Sequence, residues 1–197
     1  MKKGMIALLV IVLLILMIGG WTIGRYNKMN TLKVNVDGSW SQVENQYQRR
    51  FDLIPNLVET VKGAANFEKE TLEGVIEARS KVGQMNINPG DLSDPAKMQS
   101  FQAAQDGLSS ALSRLMVVVE RYPDIKFNQN FQALQAELAG TENRIATERG
   151  RYRDAVQAMN QYIVVFPNSM LASIFGIKEV PFFQADDSAE TAPAVRF

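Results

Sequence analysis

Seven polar residues in two stretches carry what chemistry this sequence offers. Asp52, Asn56 and Glu59 form one; Glu142, Arg144, Glu148 and Arg149 form the other. Set on facing helices, they would suit one of two tasks. A pair of carboxylates would move protons or hold a divalent cation through oxygen ligands. An ion-pair network would instead fix the register of the helices that carry it. The second reading is preferred for Asp52, Asn56, Glu142, Arg144, Glu148 and Arg149, because no phosphate-binding loop or orienting partner accompanies the carboxylates. Arg49 and Arg50 fall off the neighbouring apolar stripe. They are expected to solvate a helix face, with lipid headgroups or a partner as the alternative.

The chain has no histidine and no cysteine. That excludes disulfides, thiol nucleophiles, a Ser-His-Asp triad and a Glu-x-x-His di-metal site. No catalytic, cofactor-binding or metal-ligating residue is assigned. Lysine and arginine number 21 and aspartate and glutamate 21, so there is no basic excess for nucleic acid.

The elements that position the polar stretches begin with an anchor. Residues 4–26 read GMIALLVIVLLILMIGGWTIGRY, with no charge between Lys3 and Arg25. About 20 apolar residues span a bilayer core, so residues 1–25 are read as a transmembrane helix and a lipid bilayer as the first partner. A cleavable leader has a shorter apolar core and a small-x-small site; Ile18 to Thr22 fits poorly. Trp21 and Tyr26 lie where an aromatic belt would form. Gly20 and Gly24 make a GxxxG, which lets two membrane helices approach closely. Lys2 and Lys3 place the N-terminus in the cytoplasm and the remainder outside it.

Residues 26–167 read as four helices in an antiparallel up-and-down bundle. Val36, Trp40, Val43, Tyr47, Phe51 and Ile54 form the first apolar stripe. A proline lacks the backbone donor and clashes with the carbonyl four residues back, and an unbroken helix over 27–86 would run roughly 90 Å. A break is therefore expected at Pro55, with a second helix from there to about Met85. Asp94-Pro95 starts a third helix as cap and first residue, which runs to Tyr122. Asn128 or Asn130 starts a fourth, which Pro167 stops. Its buried side is Phe131, Leu134, Leu138, Ile145, Tyr152, Val156, Met159 and Ile163. Residues 168–197 form an irregular tail, punctuated by Gly176 and Pro181. Val195 and Phe197 are candidate contacts of that tail.

Several blocks taken together resemble the bacterial LemA family: Asp37-Gly-Ser-Trp40-Ser-Gln-Val, the run Arg49 to Gly63, Glu120-Arg-Tyr-Pro123 and Thr141 to Ala146. Ser39 stands where the family commonly has alanine, and Phe51 where it has tyrosine. The resemblance implies an all-α protein, a helical bundle on one N-terminal membrane helix, with no established enzyme activity and no cofactor. One branch of the family is associated with building magnetosome membranes. The expected function is thus non-enzymatic: a self-assembling, homo-oligomeric scaffold in the bacterial inner membrane. The alternative is an adaptor or sensor for another membrane protein, such as a membrane protease.

Overall fold

A computed structural model describes residues 2–63, 67–85 and 87–183. Val195 and Phe197 lie outside the described residues. All regular structure among those residues is helical.

Helix α1 spans Lys2–Lys62, 61 residues with Pro55 inside it, roughly 90 Å of unbroken helix. It has two parts. The large apolar residues from Met5 to Ile18, and Trp21 and Ile23 beyond them, are exposed, whereas Met29 is fully buried. The first part is long and apolar enough to cross a membrane.

The expected break at Pro55 is absent, and the reason is tertiary. Without an N–H, Pro55 leaves the Phe51 carbonyl without its helical donor. Arg79 supplies one: its Nε donates to the Phe51 oxygen at 3.3 Å. The same guanidinium lies over the Phe51 ring, 3.8 Å from its centroid, a cation–π contact that holds the donor in place. Ile54 and Leu57 are fully buried on either side of the exposed proline, so core packing also holds the chain helical there. Helix α1 ends at Lys62 and α2 spans Lys69–Gly83.

A single 3-10 turn at Pro89–Asp91 precedes α3, Pro95–Val119. Asp94 caps α3 as expected, accepting from the Ala96 N–H at 3.0 Å and the Lys97 N–H at 3.3 Å. Helix α3 stops at Val119, three residues short of Tyr122, and Pro123 opens the short α4, Pro123–Lys126. Asn128 caps α5, Gln129–Val164, through the N–H groups of Asn130 and Phe131. The tail expected to be irregular from residue 168 instead opens with a short helix, α6, Asn168–Ile174, and Gly176 then turns the chain with φ of 69°.

Helix α1 packs chiefly along α5, and α2 along α3. Arg25 meets Tyr162, Trp40 meets Tyr152 and Arg50 meets Glu142. Numbers rising along α1 fall along α5, so the pair is antiparallel. Glu68 meets Arg121 and Phe67 meets Tyr122 where α2 begins and α3 ends.

Besides Met29 and Val58, the buried positions of α1 are Val36, Trp40, Val43, Tyr47, Arg50, Ile54, Leu57 and Val61. Their spacing alternates four and three, a heptad seam. The seam passes through Arg50 and not through Phe51, which is only half-buried. In α3 the seam is Met98, Phe101, Gln105, Leu108, Leu112, Leu115 and Val119. Burying such seams against each other removes roughly 1.5–3 kcal/mol worth of exposure per large apolar side chain.

Residues after α6 pack onto this body. Val180 is buried, and Phe183 packs against the core cluster around Trp40. Asn160 holds the strap from both sides: its Nδ2 donates to the Val180 carbonyl at 2.8 Å and its Oδ1 accepts from the Val180 N–H at 3.0 Å.

Candidate functional site

The apolar interior divides into two clusters. One contains Trp40, Tyr47, Phe101, Ile145 and Tyr152; the other contains Ile54, Leu108, Leu138 and Phe131. Between them lies a polar layer built on Arg50, which is 1% exposed. Its Nη1 donates to Glu142 Oε1 at 2.6 Å and to Ser109 Oγ at 2.8 Å. Its Nη2 donates to the side-chain oxygen of Gln105 and, at 3.4 Å, to the Gln105 carbonyl. The guanidinium lies 5.3 Å from the Tyr47 ring centroid.

An arginine stays charged in proteins and demands acceptors when buried. Here α1 supplies the cation and α3 and α5 supply the acceptors, so the layer ties three helices together at one level. The Glu142 side chain is 44% exposed. It therefore keeps part of its hydration, which lowers the desolvation cost of the pair. Arg50 Nε has no protein acceptor among the described residues.

The expectation for Arg50 is thereby corrected. It neither solvates a helix face nor reaches headgroups; it is the buried hub. Arg49 does lie outward, paired with Glu137 at 2.6 Å. Among the residues expected to form a network, Glu142 enters this layer. Asp52 and Asn56 are exposed; Asp52 accepts from Gln48 Nε2 at 2.8 Å. Glu148 pairs with Arg151 one turn away at 2.7 Å. Arg149 lies over the Phe183 ring, 4.4 Å from its centroid, and Arg144 is exposed. Among the described residues, no three carboxylates gather as a metal site would need.

Above the polar layer the aromatic residues pack edge to face. Trp40 meets Phe101 at 5.5 Å and Tyr152 at 5.4 Å between centroids. The Tyr152 hydroxyl and the Trp40 indole N–H are buried without a protein partner among the described residues. Burial, with the negative charge of Asp37 as the lesser cause, pushes the Tyr152 hydroxyl well above the usual tyrosine range. Burial also raises Tyr47, against the pull of Arg149 and Arg50. A cavity of about 180 Å³ lies beside them, lined in part by Glu44, Met85 and Gln105. That is below the roughly 300–1,000 Å³ of small-molecule sites.

At the other end, Gly20 and Gly24 are open: a Cβ built on either would meet nothing within 4 Å. Gln105, Ser109 and Asn160 were not singled out as site residues by the sequence. Gln105 carried a signal, since it interrupts an otherwise apolar stripe.

Residues 39–197 match the model of the LemA family. The chain is 30% identical over 186 residues to Magnetosome protein MamQ 2 of Paramagnetospirillum magneticum, covering 85% of this chain and 67% of that protein. It is 28% identical over 186 residues, with the same 85% and 67% coverage, to Magnetosome protein MamQ of Magnetospirillum gryphiswaldense. To Protein LemA of Metamycoplasma hominis it is 24% identical over 165 residues, 84% of this chain and 71% of that one.

Proposed function

The chain belongs to the LemA family, and from that premise we propose that it is a non-enzymatic, membrane-anchored scaffold that self-assembles. The observation that carries the reading is the continuity of α1. One unbroken helix joins an exposed apolar segment to a buried heptad seam. Any assembly of the anchors would be transmitted to the body, and the reverse, with no flexible linker between. The open glycines Gly20 and Gly24 suit close helix approach in a bilayer.

The body fits an up-and-down four-helix bundle of α1, α2, α3 and α5. Phe51 meets Arg79 of α2, and Tyr47 meets Phe101 of α3. These contacts, with the pairs along α5, suit α1 and α3 running one way and α2 and α5 the other. The domain plan follows: residues 1–25 anchor, 26–167 bundle, 168–197 an arm whose first part lies on the bundle. Lys2 and Lys3 favour an inner-membrane protein with a cytoplasmic N-terminus. The relatives named for magnetosomes fit a role in organising membrane.

Light scattering and electron microscopy of the full-length protein in a membrane mimic test this reading. Rings, filaments or a discrete oligomer are expected, reduced by Gly20→Ile with Gly24→Ile. A monodisperse monomer at all concentrations would overturn it.

A further inference from the structure

We propose that the α5–α6 turn is a second membrane contact: Val165, Phe166, Met170 and Ile174 enter the boundary between headgroups and acyl chains of the bilayer that α1 crosses. The proposal rests on α1 spanning a membrane and adds a surface that the scaffold reading does not require.

The level of this turn is set by side-chain contacts with α1. Arg25 Nη1 donates to the Tyr162 hydroxyl at 3.4 Å, and the Tyr26 and Phe175 rings stand 4.6 Å apart. Because α5 runs antiparallel to α1, the residues after Tyr162 advance towards the apolar segment. At about 1.5 Å per residue, Val165 and Phe166 come level with the end of that segment, near Ile23. The membrane-facing surface of α1 and this turn are thus continuous.

The turn is built with an apolar outer face. Asn168 and Ala172 are buried against the body, and Asn168 Nδ2 donates to the Tyr162 carbonyl at 2.9 Å, which fixes the entry to α6. Met170 and Ile174, one turn apart on α6, are 58% and 71% exposed, and Phe166, which precedes the helix, is 79% exposed. Large apolar side chains gathered on one exposed surface mark an interaction site. The flanking side chains suit an interface. Trp21 and Tyr26 are amphipathic rings, Arg25 lies over the Trp21 ring at 5.3 Å, and Lys28 is exposed. Glu179 adjoins Lys178, so apolar burial and not net charge carries the contact.

The chain has no cysteine, so single cysteines can report depth. Full-length Met170→Cys, Val12→Cys and Gln132→Cys proteins are labelled with an environment-sensitive fluorophore. Each is reconstituted in phosphatidylcholine vesicles containing lipids spin-labelled at shallow or deep acyl positions. The Met170 label is expected to be quenched by the shallow lipid several-fold more than the Gln132 label, which sits at the far end of α5. The Val12 label is expected to respond to the deep lipid. Quenching at Met170 equal to that at Gln132 would overturn the proposal. So would a blue-shifted Met170 label that lipid does not quench, since that places a second protein copy on the turn. An unquenched Val12 label would remove the anchor itself and the proposal with it, a failure distinct from loss of the Met170 signal alone.

Discussion

Arg50 and Gln105 each hold the polar position of an otherwise apolar heptad seam, and they are hydrogen-bonded to each other across α1 and α3. Shifting either helix by one heptad would bury the arginine against Met98 or Leu112 and leave its donors unmatched. The pair therefore specifies one register, as a polar residue in a coiled-coil core does. Glu142 extends that constraint to α5.

Removing one partner should be costly, and removing both much less so. Glu142→Ala leaves a buried guanidinium without its counter-charge, an expected loss of about 3 kcal/mol. Gln105→Leu should cost about 1–3 kcal/mol. In Arg50→Met with Gln105→Leu, most of that loss should be recovered, because no buried polar group is stranded. Urea unfolding of the detergent-solubilised protein measures these three and the Arg50→Met single. A double variant as unstable as the sum of its singles would show that the two residues do not act together.

Local signals foretold much of this fold. Asp94 before Pro95 caps α3 as expected, and of the two candidates Asn128 and Asn130 it is Asn128 that caps α5. The stripe of α5 from Phe131 to Ile163 is buried as its spacing requires, apart from Leu134, which is partly buried. Two features escaped for physical reasons. At Pro55 the local rule was sound, but the missing donor comes from Arg79, remote in sequence from Phe51. At Arg50 an apolar neighbour, Phe51, offered an equally periodic stripe. Only the stricter alternation through Ile54, Leu57 and Val61 distinguishes the seam, and charge made the true position look like surface.

The Arg79–Phe51 bond predicts a coupling between two helices. Arg79→Ala should cost about 1–3 kcal/mol, because it leaves the Phe51 carbonyl unmatched and uncovers the ring. Pro55→Ala restores the helical N–H, so Arg79→Ala should cost clearly less in that background. A thermal-unfolding cycle of the four proteins measures the difference. Equal costs in both backgrounds would mean that Arg79 does not replace the missing donor.

Tyr152 predicts a substitution that helps. Its hydroxyl is buried without a protein partner among the described residues, so Tyr152→Phe should be neutral or stabilising by about 1 kcal/mol. Its folded pKa lies above the ordinary 10.0, so the native state holds this proton more tightly than the unfolded chain. Stability from this group is complete below pH 10 and falls as pH rises beyond it. The variant should lose part of that alkaline fall, with Tyr47 retaining the rest. Unfolding midpoints at pH 8 and at about pH 11 check it; an unchanged alkaline slope would count against the assignment.

Asn160 predicts a local opening instead of global collapse. It bonds both the N–H and the carbonyl of Val180, so Asn160→Leu strands two backbone groups at once. The segment from Ile177 to Phe183 has few other ties: Ile177, whose N–H bonds the Ala172 carbonyl and whose side chain packs on the aromatic cluster, Val180 and Phe183 against that cluster, and Arg149 over the Phe183 ring. Lifting that segment into water relieves both stranded groups while α1 and α5 stay packed. Hydrogen exchange should therefore accelerate at Val180 and its neighbours and stay slow at Val156 and Met159. Asn160→Asp separates the two bonds, since a carboxylate still accepts from the Val180 N–H but cannot donate to its carbonyl. Intermediate exchange is expected for Asp, fast exchange for Leu. Protection of Val180 in both variants would mean that apolar contacts alone hold the strap.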